Sequence, residues 1–318
     1  MKIQDIYEKA YTRGMEVDPR GIEEVRAELK KIKKDFEDLK EKNKETFDGE
    51  RLVNPYSDTR VLYPGTAHKE IKRVLVGIDM EVGEILLADR LGEKGRPIDL
   101  IIAHHPEGRA MANLHAVMNM QAGIMLKYGV PINVAEDIMA ERISEVRRRI
   151  MPANHMRAVD AARLLEMPFM CMHTPADNSV VSFLQGLFDE KKPAYVSDII
   201  ELLAEIPEYE NAAKEVMSPD VVCGTGKRKA GKIFVDMTGG TGGSKKAFTK
   251  LSNAGVGTVV GMHISEDHRK EAEKNHLNVI IAGHMASDNL GMNLLFDNIL
   301  SPDIEIVETA GFRRVSRA

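Results

Sequence analysis

Apolar residues recur at alternating three- and four-residue steps from Ile22 through Val25, Leu29, Ile32 and Phe36 to Leu39, and nearly everything between them is charged. That spacing lines one narrow stripe of a helix and predicts a helix over residues 20–45. Asp18-Pro19 supplies its start signal. The stripe fits two readings, a helix packed on its own core or an arm that pairs with a helix of another subunit. Residues 48–66 carry Pro55, Pro64 and several polar residues and read as a linker.

From about residue 70 the pattern changes to short apolar runs alternating with helical stretches. Strands are expected at Val74–Ile78, Leu100–Ala103, Pro131–Ala135, Phe169–Met172, Ile233–Val235, Thr258–Val260 and Val279–Ala282. Helices are expected through Ile85, Leu86, Ala88 and Leu91, over 136–166, and over 191–218. Unbroken apolar strands separated by helices are buried on both faces, which predicts an α/β fold with mostly parallel sheets. The 136–166 stretch holds Arg142, Arg147, Arg148, Arg149, Arg157 and Arg163, either a solvated helix face or an anion-binding surface.

Composition narrows the function. A chain of 318 residues, 43% of them hydrophobic, can bury one large core or two smaller ones. No run approaches the roughly 20 apolar residues needed to span a bilayer. The opening MKIQDIYEKAYTRG lacks the apolar segment of a secretory signal, so a cytoplasmic location is expected. A net charge of −5 argues against dominant nucleic-acid binding. Cys171 and Cys223 are the only two cysteines, which excludes a disulfide framework and a thiolate zinc cluster. Any bound metal must then be held by imidazoles and carboxylates.

Three expected strands run straight into such groups. Leu100–Ala103 leads to His104-His105-Pro106, Phe169–Met172 to His173-Thr174-Pro175-Ala176-Asp177, and Val279–Ala282 to Gly283-His284-Met285-Ala286-Ser287-Asp288. Open α/β sheets bind ligands beyond the carboxyl ends of their strands. Of ten histidines, four sit at that position. His284 and Asp288 share a face if a helix follows Gly283. Adjacent His104 and His105 diverge from an extended chain, so they suit two neighbouring ions better than one. Asp177 and Asp288 would bridge such ions, and the donor types suit Zn, Fe, Mn, Co or Ni.

The ordered set DLIIAHHP, HTPAD and AGHMASD resembles the Nif-three-like family (NGG-one-interacting factor three), whose members are often labelled GTP cyclohydrolase type-2 homologues. Asp79, closing VLVGIDM, resembles a further family position, and the resemblance covers residues 66–318. It implies the metal ligands His104, His105, Asp177, His284 and Asp288, with His173 beside the metals. It implies a metal-bearing α/β lobe with a second α/β lobe inserted before the last motif, preceded here by an N-terminal helical extension. The divisions expected are 1–65 for extension and linker, 66–190 for the first part of the metal lobe, 191–261 for the insert and 262–318 for the last part. It also implies self-association as a homohexamer, and metal-dependent hydrolysis of an ill-defined substrate. The chain departs from the family in carrying Asp288 for a usual Glu and Glu107 for a usual apolar residue, with a longer gap between the first two motifs. Residues 1–65 have no counterpart in the family core.

Two further segments carry candidate chemistry. MTGGTGGSK, residues 237–245, is either an anion cradle or a tight turn; it lacks the Gly-Lys-Ser/Thr of a Walker motif. His263 and His268 flank Glu266-Asp267 and read chiefly as the start of a surface helix, the alternative being that one of them approaches the metal site. The expected function is a hydrolase with two divalent ions per subunit, acting on a small phosphorylated or nucleotide-like molecule. His173 is the expected proton shuttle, with the Gly-rich loop or the arginines holding the anion. The alternatives are a non-enzymatic metal-binding scaffold or metal-handling protein, and a nucleotide-binding regulatory module that works without metal.

Overall fold

Apolar residues on alternate sides of short strands build two sheets in the computed structural model, which describes residues 1–66 and 69–317. The first sheet contains β1 (Thr59–Tyr63), β2 (Arg73–Gly77), β3 (Leu100–Ala103), β4 (Phe169–Met172) and β9 (Glu305–Glu308), in the order β1-β4-β3-β2-β9. All its neighbours are parallel except β1, which runs antiparallel to β4. The second sheet contains β5 (Asp220–Cys223), β6 (Lys232–Asp236), β7 (Val256–Gly261) and β8 (Asn278–Ile281), in the order β5-β8-β7-β6, with only β5 antiparallel. All of β5–β8 lies between Asp177 and His284, and β9 returns to the first sheet, so the fold is mixed α/β with an inserted second lobe.

The two faces of each sheet follow the two-residue period of a strand. Val74, Val76, Leu100 and Ile102 pack under helix Ile3–Glu16 and the helix His284–Ile299, while Leu75, Ile101 and Cys171 pack against helices Val82–Glu93 and Arg157–Leu164. In the second sheet Phe234, Val259 and Val279 face one core, and Ile233, Val235, Val260 and Ile280 face another. The helices Thr174–Lys191 and His284–Ile299 join the lobes. They touch backbone to backbone at Gly291, where an added Cβ would lie 2.5 Å from the carbonyl oxygen of Ala176. That approach sets Asp177 beside Asp288.

Three expectations are corrected. Pro131–Ala135 is not a strand: Pro131 caps the helix Ile132–Ile150, because a short apolar run behind a proline suits a helix start as well as a strand. The helix expected over 20–45 ends at Glu37 and a separate turn of helix forms at Glu41–Lys44. Val25 is buried, Phe36 packs on Phe47, and the rest of the stripe is half-buried. Residues 48–66 are no simple linker. They hold a 3₁₀ turn at Gly49–Leu52 and strand β1, whose Arg60 is fully buried against Asp48 and Glu50. Among the described residues no helix is long and apolar enough to cross a membrane.

Candidate metal centre

The parallel arrangement delivers the carboxyl ends of β2, β3 and β4 to one edge. His104 and His105 continue the ladder past β3, donating their amides to the carbonyls of Gly77 and Ile78 at 3.0 Å each. His173 follows β4 directly, and one helical turn later the helix it opens presents Asp177. The second sheet brings His284 in from β8. Gly283 takes φ 110°, a conformation an L side chain resists, and so turns the chain from strand into the His284–Ile299 helix. His284 and Asp288 then lie four apart on one face.

All five expected ligands and His173 meet in one cluster. His104 Nε2 lies 3.4 Å from Asp288 Oδ1 and 3.5 Å from Asp177 Oδ1. Asp288 Oδ2 lies 3.6 Å from His105 Nε2 and 3.4 Å from His284 Nε2. Asp288 thus reaches three imidazoles in spite of being a methylene shorter than Glu. Three sets have ligand atoms within 4.8 Å of one another: His104, Asp177 and Asp288; His105, His284 and Asp288; and His104, His105 and His173.

The donors fit a metal ion. Two ligand atoms each ~2.1 Å from one ion at a tetrahedral angle lie ~3.4 Å apart, the spacing observed. His104 Nε2 and both oxygens of Asp288 are buried without any hydrogen-bond partner. A buried polar atom left so costs roughly 1–3 kcal/mol, more when charged. An ion removes that cost. The other ring nitrogens are already committed: His104 Nδ1 lies 3.2 Å from the carbonyl oxygen of Met172, His105 Nδ1 2.7 Å from Asp79 Oδ1, and His173 Nδ1 2.8 Å from Asp58 Oδ2. Such outer bonds fix each ring and leave its Nε2 toward the cluster, as they do for metal-binding imidazoles.

Charge in the cluster is arranged accordingly. Burial, together with the neighbouring His104 and His173, pushes His105 down to about 4. Burial pushes Asp177 up to about 6, against the pull of His173 and His104. Burial opposes a charge on His173, but Asp177 and Asp58 outweigh it and raise the ring to about 9. Burial also opposes a charge on Asp288, yet its histidine neighbours hold it below the usual carboxylate range. These buried carboxylates need positive charge beside them, and a divalent ion is one source of it.

A cavity of about 360 Å³ opens on the cluster, and residues from both sheets form its wall. No Lys or Arg lines it among the described residues; Asp79, Glu81, Glu107 and Asp236 do. The arginines of 136–166 therefore do not serve this cavity. Arg142 instead holds the carbonyl of Gly242 from behind and pairs with Glu145. The Gly-rich segment is a pinned turn at the cavity wall. Gln121 donates to the carbonyls of Gly239 and Thr241, and Thr238 donates to Asn178, next to Asp177.

Of two further residues at the site, Asp58 has no place in the sequence pattern, and His263 fits the lesser of its two readings. His263 belongs to the cavity wall, its ring 5.0 Å from His284, because β7 ends just before it as β8 ends before His284. Asp58 precedes β1, for which the β-branched and aromatic residues Thr59, Val61 and Tyr63 were the available signal.

The solved structure of an NIF3 superfamily protein from Sphaerobacter thermophilus is 32% identical to this chain, with a TM-score of 0.71, and the match covers 80% of this chain and 91% of that one. The chain belongs to the NIF3 superfamily. The Nif-three-like resemblance of its His-His-Pro, His-Thr-Pro-Ala-Asp and Gly-His motifs is thereby shown. Two more distant solved chains also match: reduced HcgD from Methanocaldococcus jannaschii (16% identity, TM-score 0.48, 84% of this chain and 94% of that) and TTHA1606 from Thermus thermophilus (15%, 0.45, 80% and 89%). Both are too dissimilar to inform the site. No protein-family model matches the chain, and no curated protein does.

Proposed function

We propose that the cluster holds two divalent ions per chain and that this NIF3 protein is a metal-dependent hydrolase of small phosphorylated or nucleotide-like molecules. The observation that carries the two-ion reading is Asp288. Its Oδ1 faces His104 and its Oδ2 faces His105 and His284, and neither oxygen has a hydrogen bond. One carboxylate so placed can bridge two ions, with His104 and Asp177 completing one set and His105 and His284 the other. The imidazole and carboxylate donors suit Zn, Fe, Mn, Co or Ni. Bound there, the ions supply Lewis acidity that activates water and polarises the bond to be cleaved.

The chain's own residues do the rest. Outer hydrogen bonds keep the lone pairs of His104 and His105 aimed inward. His173 Nε2, 3.8 Å from Asp177 Oδ2, gives up a proton and takes it back at the cavity wall. Among the described residues no Lys or Arg lies in the wall, so ions held by His104, His105, Asp177, His284 and Asp288 would supply the positive charge an anionic substrate needs, with the Gly-rich turn bordering it. Metal-reconstituted protein screened against phosphoesters, nucleotides and cyclic amides should turn over at least one class, and chelation should stop it. Bound metal with no turnover across the screen favours the scaffold or metal-handling alternative.

We further propose, from the family resemblance, that the protein works as a cytoplasmic homohexamer. Light scattering at micromolar concentration should return six chains per particle. A stable monomer contradicts this.

A further inference from the structure

The register of β1 against β4 pairs Thr59 with Met172, so the next residue on each side, Asp58 and His173, come face to face. A slip of one residue would turn Asp58 to the other side of the sheet. Asp58 Oδ2 accepts hydrogen bonds from His173 Nδ1 at 2.8 Å and from Thr174 Oγ1 at 2.6 Å. Thr59 Oγ1 accepts from the His173 amide at 3.1 Å, a second tie between the same two strands. An ionised carboxylate only accepts, so the ring nitrogen facing it carries the proton. The other nitrogen, Nε2, faces Asp177.

Asp79 stands in the same relation to His105, but its side chain is 63% exposed, where water can replace it. The Asp58 side chain is 0% exposed, and no solvent can substitute for it. Asp58 is in none of the three metal-holding sets, so its effect on the site runs through His173.

We propose that Asp58 is a positioning residue that fixes the proton on His173 Nδ1 and holds the ring with Nε2 toward the cavity. This rests on the reading of His173 as the proton-moving group. It assigns β1 a share in the chemistry, beyond its place at the sheet edge.

The test is imidazole-nitrogen NMR on zinc-loaded, ¹⁵N-histidine-labelled full-length protein, followed across pH and read where the His173 ring is neutral and so has a tautomer. Wild type should show His173 protonated at Nδ1; a His173 with bare Nδ1 overturns the proposal without any variant. Asp58→Asn can offer its amide hydrogens to Nδ1 and so drive the proton to Nε2. It should switch the tautomer, keep wild-type zinc content, and slow any turnover by about 10²–10⁴-fold, the range for a general acid or base. That loss should not add to the loss in His173→Asn. Thr174→Val removes another donor to the same carboxylate and should leave the tautomer unchanged. Asp58→Asn with an unchanged His173 tautomer overturns the proposal, as does a tautomer that switches equally in Thr174→Val. If the hydrolase reading alone is wrong, wild type turns nothing over while the tautomer result stands.

Discussion

Asp288→Asn should empty the metal centre of both ions, the largest effect of any single substitution in the cluster. Removing His284 takes one imidazole from one set, and removing Asp177 takes one carboxylate from the other. Asp288 belongs to both sets that contain a carboxylate. It is also held ionised by its histidine neighbours although fully buried, so it brings the negative charge that two adjacent cations need. An amide of the same shape has one oxygen and no charge. Elemental analysis after reconstitution should therefore fall from two ions toward none. A second readout is thermal. A ligand at 100 times its Kd stabilises the folded state by about 2.7 kcal/mol. Wild type should gain a clearly higher Tm on metal loading, and Asp288→Asn should gain none. A variant that keeps one ion would show that Asp288 is not the bridge.

His173→Asn should leave metal content unchanged and slow hydrolysis by about 10²–10⁴-fold. Asn is the better probe than Ala. Its amide can still donate to Asp58, whereas Ala would leave a fully buried carboxylate without its principal partner, at a cost of about 3–5 kcal/mol for a broken buried pair. Asn cannot carry a proton between substrate and solvent. The comparison therefore separates chemistry from stability. Loss of metal in His173→Asn would make His173 a ligand, through the set it forms with His104 and His105, and would end its reading as a shuttle.

The strands that bear the cluster were the most legible part of the chain, and for a physical reason. Strands buried on both faces must be apolar throughout, so Leu100–Ala103 and Phe169–Met172 stand out, and a polar group at their ends is conspicuous. His104, His105, His173 and His284 could be found that way. His263 stood out less, because β7 runs through Gly261 and Met262 into a loop that resembles any exposed turn before a helix. Pro131–Ala135 failed on the ambiguity of five apolar-rich residues, which a helix and a strand both accept. Asp58 was hidden differently. Its function depends on β1 lying antiparallel to β4, and pairing of segments more than a hundred residues apart leaves no local trace. The arginines left two readings open, a solvated helix face and an anion surface; Arg142, Arg149 and Arg163 pair with carboxylates three or four residues away on their own helices.

The central claim is that one buried aspartate joins two metal positions. Anomalous diffraction from crystals of zinc-reconstituted protein tests it most directly. Two peaks per chain are expected, one contacted by His104 and Asp177 and the other by His105 and His284, with Asp288 between them. A single peak, or none within reach of Asp288, would contradict the account.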